Sequence, residues 1–168
     1  MAGLAVSADI AGVTLAGGLR KFGTEPDIEY VGMLMARVAT YGLSIYGGYG
    51  TGVTDGVRFS AFFAFGAITG PIGGPPAFFL TGIGGGFGIN RDLIFPASLS
   101  TFADFVMIKA LDPSAAASSD PMQELLTVRN TFPMRRDRFW FAAGLSFTSF
   151  AWWTASRLSR FPLAAVSN

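Results

Sequence analysis

Between Arg58 and Arg91 there is no charged residue, and this long apolar run is cut near its middle by Gly70-Pro-Ile-Gly-Gly-Pro-Pro76. Proline removes a backbone donor and clashes with the preceding helical turn, so no helix of ordinary length passes through that segment. A membrane-crossing helix needs about 20 continuous apolar residues, and neither arm supplies them. The run therefore reads as two strands. In the first, Val57, Phe59, Ala61, Phe63 and Phe65 alternate with Arg58, Ser60, Phe62 and Ala64; the second, Ala77 to Ile89, is apolar and laden with glycine. The two are expected to pair, with Gly70 to Pro76 outside both helix and ladder.

The same reading extends along the chain. Residues 12 to 22 read as a strand followed by a turn over Gly23 to Asp27 that holds Pro26. Ile28 to Tyr46 is too long for one strand and is expected to bend near Ala39 to Gly42. If it is extended, Glu29, Val31, Met33, Met35, Arg37, Ala39 and Tyr41 share one face, opposite Tyr30, Leu34 and Val38. Gly47 to Gly56 reads as a loop whose closing Asp55-Gly56 is a hairpin signal. Ser98 or Ser100 is expected to cap a helix reaching about Ala110, and Asp120 with Pro121 to start a short one over Met122 to Arg129. Both helices would lie on one face of the sheet. Arg138 to Phe150 alternates again, Phe139, Phe141, Ala143, Leu145 and Phe147 against Trp140, Ala142, Gly144, Ser146 and Thr148.

The expected fold is mainly β with minor α. It is a curved antiparallel sheet or partial barrel of five to seven strands, with one or two helices packed on one face. A chain of 168 residues suits one domain. That domain is placed at 1–150, with a flexible linker at about 112–121; the tail 151–168, with Trp152, Trp153, Arg157 and Arg160, shows no clear period and is expected to be poorly ordered or truncated.

Composition excludes more function than it suggests. With no Cys and no His, thiolate chemistry, histidine zinc sites and Ser-His-Asp hydrolysis are ruled out. A net charge of +1 gives no field to attract nucleic acid, and compartment stays open. The first residues lack the pattern of a signal peptide because Asp9 interrupts a short apolar start. A second uncharged stretch, Phe139 to Ser156, is long enough to span a bilayer, yet its spacing is extended and Gly144, Ser146 and Thr148 dilute it. A membrane barrel would call for a polar lumen opposite the apolar face. Here the second face is often Ala, Gly or Phe, which favours a sheet covered on both sides.

Chemistry-bearing patterns are weak. The segment Gly82-Ile-Gly-Gly-Gly-Phe-Gly88 lacks the Gly-Lys-Ser/Thr ending of a phosphate loop and the dinucleotide glycine spacing, so it reads as a bent strand. Asn90, Arg91 and Asp92 could form a polar binding corner or a simple turn in which Arg91 pairs with Asp92. Asp27 and Glu29 share a strand face with no partner acid, which suggests a solvated edge; Lys21 and Lys109 form no evident dyad with a serine. Arg135, Arg136 and Arg138 mark a charged strand entry. Met33, Met35 and Met107 suit an adaptable apolar groove or plain core filling. No residue is therefore expected to be catalytic or to hold a cofactor or metal, and the candidate ligand contacts are Met33, Met35, Phe63, Phe65, Asn90, Arg91 and Asp92.

Three stretches carry a resemblance. Gly42-Leu-Ser-Ile-Tyr-Gly-Gly-Tyr-Gly50, Gly70 through Arg91, and Trp140-Phe-Ala-Ala-Gly-Leu-Ser-Phe-Thr-Ser-Phe150 resemble a domain-of-unknown-function family found in very large bacterial and some fungal proteins. The resemblance covers roughly residues 12 to 150. It implies a β-rich segment within a much longer protein and brings no activity, cofactor or functional residue. The tail after Phe150 departs from the pattern. The function expected is a non-catalytic structural or scaffold β-module, partnered by other segments of a longer chain or by copies of itself. The alternative is a module binding lipid or another apolar ligand in a Phe/Met-lined groove.

Overall fold

Antiparallel pairing of each strand with the next in sequence builds the sheet. The strands β1 (Gly3–Ile10), β2 (Val13–Thr24), β3 (Asp27–Val38), β4 (Tyr41–Thr54), β5 (Val57–Gly73), β6 (Phe79–Arg91) and β7 (Met134–Thr148) each pair with the next in sequence, and β8 (Arg160–Ser167) extends the sheet beside β7. The structure is a computed structural model that describes residues 3–75, 77–102, 104–112, 120–149 and 160–167. Most of the expected linker, and Trp152, Trp153 and Arg157, lie outside the described residues. At Asp55-Gly56 both residues take positive φ, 53° and 74°, and Ala11-Gly12 repeats the geometry at 52° and 82°. Such two-residue turns match the right-handed twist of the strands they join.

The fold is thus mainly β, an open and curved antiparallel sheet with three short helices among the described residues. The expected pairing of the two uncharged arms is the β5–β6 ladder. Several local expectations are corrected. The first residues, read only as a short apolar start interrupted by Asp9, form edge strand β1 against β2. Gly47 to Thr54 is strand, not loop: in β4 the alternate glycines Gly48 and Gly52 sit beside the rings of Phe63 and Phe59 on β5, and Gly50 beneath the Met134 side chain of β7, so they provide space, not a turn. β5 continues past Pro71 to Gly73 because its register shifts between Thr69 and Gly73, and an irregularity of that kind accommodates a residue without an N–H. Tyr41 pairs with Val38 after the turn at Ala39-Thr40. It therefore shares the face of Tyr30 and Leu34, not that of Glu29, since cross-strand partners point to the same side.

All three helices belong to the insertion between β6 and β7. The single expected helix over 98–110 is two pieces, α1 (Leu99–Phe102) and α2 (Val106–Ala110), and α3 spans Pro121–Thr131. As the sequence suggests, Asp120 caps α3: its carboxylate accepts from the Met122 N–H at 2.9 Å, and Pro121 follows at the first helical position. α3 packs on β2 and β3 and α2 on β5, so one face of the sheet, the inner face, is covered. Its core joins Val31, Met33, Tyr46, Phe63, Phe65 and Trp140 of the sheet to Val106, Leu111, Leu125, Val128 and Phe132 above them. Glycines let the helices settle: a Cβ on Gly18 would stand 3.1 Å from Leu125 Cδ1, and one on Gly84 3.2 Å from Leu111 Cδ2.

Candidate functional site

The polar centre of the molecule is Glu29, the residue expected on a solvated edge. It is buried on the inner face of β3, and its two oxygens take different arginines. Arg91 at the end of β6 donates from Nη1 to Glu29 Oε1 and to the Phe132 carbonyl at 2.8 Å, and Arg129 of α3 donates from Nε to Glu29 Oε2 at 2.7 Å. Arg91 is fully buried, with its Cζ 5.1 Å from the centre of the Phe63 ring; its Nε and Nη2 have no acceptor among the described residues. Beside this cluster the buried Tyr46 hydroxyl donates to Glu124 Oε1 of α3 at 2.8 Å. Two polar links therefore fix α3 to the sheet, Tyr46–Glu124 buried and Glu29–Arg129 open to solvent on the arginine side. Removing either partner of such a buried pair leaves a charge uncompensated, a large penalty. Glu124 also borders an open crevice of about 200 Å³ that touches Asp104, Lys109 and Asp120.

The expected binding corner does not assemble. Asn90, with φ 52°, donates from Nδ2 to the Ser60 carbonyl at 2.7 Å and accepts from the Asp137 N–H at 2.9 Å, closing a register shift between β6 and β7. Arg91 turns inward to Glu29, not to Asp92. Asp92 accepts from Arg135 Nη1 at 2.9 Å and from the Leu93 N–H at 3.0 Å. Partial burial acts against its charged form, but those two hydrogen bonds and the charges of Arg135 and Arg138 prevail and hold its carboxyl below the ordinary aspartate value. Three adjacent residues thus serve three separate contacts. Gly82 to Gly88 is continuous strand inside β6, not a loop.

Met33, Met35, Phe63 and Phe65 do share the inner face, but they are packed there, at 6%, 5%, 0% and 3% exposure. Phe65 borders a crevice between the α1–α2 segment and β7, with about 30 Å³ of room for water-sized groups, and Met33 borders a shallow open trough on the other side of the sheet. Ligand pockets generally offer about 300–1,000 Å³.

The unclaimed feature lies on the other side of the sheet. The residues that alternate with the core, such as Leu34 on β3, Ile45 on β4, Ile83 on β6, and Phe139 and Phe141 on β7, are exposed, the last two at 71% and 55%. The Phe-rich side of β7 points here, and the Trp140 and Ala142 side faces the core. The described residues cover only one side, which corrects the expectation of a sheet covered on both. Small residues and large ones form cross-strand rows: Gly32, Gly47 and Ala64 pair in one row, between a row of Tyr30, Tyr49 and Phe62 and a row of Leu34 and Ile45. The small row floors a shallow apolar trough. Within the paired stretches of β1–β6 the charges on this face are Lys21 and Arg58, both at the end where the helical insertion leaves the sheet. The sequence carried this signal in the two-sided apolarity of its strands.

A family described as being of unknown function, DUF6603, matches residues 1–159. No curated protein and no solved structure matches the chain.

Proposed function

The chain belongs to the DUF6603 family, whose function is unknown, and we propose that it is a non-catalytic structural module: a stretch of β-wall within a larger polypeptide or assembly. The single observation that carries this reading is the uncovered apolar face opposite the helices. Contiguous apolar patches beyond a few hundred Å² are uncommon on monomeric proteins and mark surfaces that another body covers. The edges agree with it. β1 pairs on one side only, and nearly all of its residues are exposed, a template for a further strand. Its neighbours are other segments of a very long chain of the family or further copies of the module; nucleic acid is not among them.

The apolar-ligand alternative loses its Phe/Met groove, because Met33, Met35, Phe63 and Phe65 are occupied in packing the helices.

Sedimentation analysis of the full chain, first in mild detergent and then after detergent removal, tests the structural reading. The wild type is expected to assemble or aggregate on removal. A variant carrying Leu34→Glu, Ile45→Glu and Phe141→Glu, which leaves the helix-covered face untouched, is expected to stay monodisperse. A wild type that remains a soluble monomer without detergent or lipid would overturn the proposal.

A further inference from the structure

The distribution of charge and tyrosine over the uncovered face identifies what covers it. On β4, Tyr41 and Tyr49 are exposed on the outer face nine residues apart counted inclusively, with Leu43, Ile45 and Gly47 between them. At about 3.3 Å per residue that band is roughly 26 Å long, and membrane-crossing strands run to about 9–11 residues. Tyr30 pairs with Tyr49 and lies beside Lys21, whose Nζ is 5.8 Å from its ring centre, so one border of the band joins aromatic rings to a cation. Tyrosine with its ring in hydrocarbon and its hydroxyl in the headgroups, flanked by lysine, is the composition of a bilayer interface.

Charge is partitioned in the same sense. Asp9, Arg20, Glu29 and Arg37 of β1–β3 all fall on the inner side of the register, while the outer positions between the tyrosine rows carry no charge among the described residues. The objection that the second face is not polar is met by the helices. They seal that face and turn Gln123, Thr127 and Asn130 of α3 outward as the exposed residues beyond it.

We infer that the outer face contacts the hydrocarbon of a lipid bilayer, with the Tyr30–Tyr49 row at one interface, Tyr41 at the other, and the helices on the aqueous side. The inference rests on the wall-segment reading, because an open sheet edge cannot stay unpaired in hydrocarbon and further strands must complete the wall.

The chain has no cysteine, so single cysteines can carry a polarity-sensitive fluorophore. Full-length Ile45→Cys, Val53→Cys and Gln123→Cys proteins are reconstituted in phosphatidylcholine vesicles whose acyl chains are brominated at mid-depth. The expected result is blue-shifted emission and several-fold quenching at position 45, weaker quenching at 53 and none at 123. Quenching that is equal at 45 and 123 overturns the inference. So does a position 45 that is shielded from water but not quenched: there another protein surface covers the face, and the structural reading survives. A position 45 that is water-exposed in a lipid-free monomer overturns both.

Discussion

The two faces of β3 both carry large apolar side chains and meet opposite fates. Val31, Met33 and Met35 are buried, whereas Tyr30, Leu34 and Val38 on the same strand are 40–51% exposed. What separates them is the insertion between β6 and β7, which lays α2 and α3 on one side only. The charges follow the covered face: Glu29, in the middle of the apolar residues, is neutralised by Arg91 and Arg129. The difference teaches that alternation in a strand assigns residues to two sides without saying which side is the core. When both sides are apolar, the cover decides.

Substitutions on the two faces should separate by magnitude. The largest loss is expected from Arg91→Ala, which leaves Glu29 facing only Arg129 and empties a fully buried site; breaking such a pair costs about 3–5 kcal/mol. A combined Glu29→Leu/Arg91→Met protein should recover much of that loss, and equilibrium urea unfolding in mild detergent measures both. If the double variant is no better than the single one, the cluster contributes more than charge compensation.

Next comes a matched pair of aromatic truncations. Phe63 is fully buried and stacks on Phe132 at 4.6 Å, so Phe63→Ala should cost about 3–4 kcal/mol. Phe141→Ala on the outer face should cost under about 1 kcal/mol in the same unfolding experiment. Equal losses would mean that the outer face is packed as tightly as the inner one.

Glycines sharpen the contrast at smaller scale. A Cβ at Gly84 meets Leu111 at 3.2 Å and Ala67 Cβ at 3.1 Å, while one at Gly66 on the outer face meets only the Ser44 carbonyl, at 3.8 Å. Gly84→Val should destabilise by about 1–3 kcal/mol through overpacking, and Gly66→Val should be neutral or slightly stabilising, because valine suits a strand better than glycine does. The midpoints of thermal unfolding rank the two.

The smallest effect belongs to Asp92. Its carboxyl is held below the ordinary aspartate value, so its contribution is present at neutral pH, above the unfolded value, and fades as pH falls through the lowered one. Because Arg135 is largely exposed, Asp92→Asn should cost about 0.5 kcal/mol or less at neutral pH. A stability–pH curve should show wild type and variant converging on acidification.

The legible parts were the local ones. Alternation and the Asp55-Gly56 turn gave the β5 and β7 strands, and Asp120-Pro121 gave the start of α3, because period and caps are properties of neighbouring residues. Glycine misled where it had two uses: at Gly47 to Thr54 it reads as a loop from composition, but it is space for aromatic rings one strand away. Glu29 was passed over because its partners, Arg91 and Arg129, lie 62 and 100 residues further along, and no spacing rule links them. Arg91 was singled out with the wrong partner for the same reason, the adjacent Asp92 being nearer in sequence but paired with Arg135.

By itself, the sequence determined that this chain is a glycine-punctuated antiparallel sheet, without histidine or cysteine chemistry and with apolar residues on both sides of its strands. Only the tertiary structure decided which side became core, which aromatic residues were left uncovered and where the single buried carboxylate of β3 found its arginines. Strand period and turn geometry act over a few bonds, whereas burial and charge pairing depend on which distant segment folds back across the sheet.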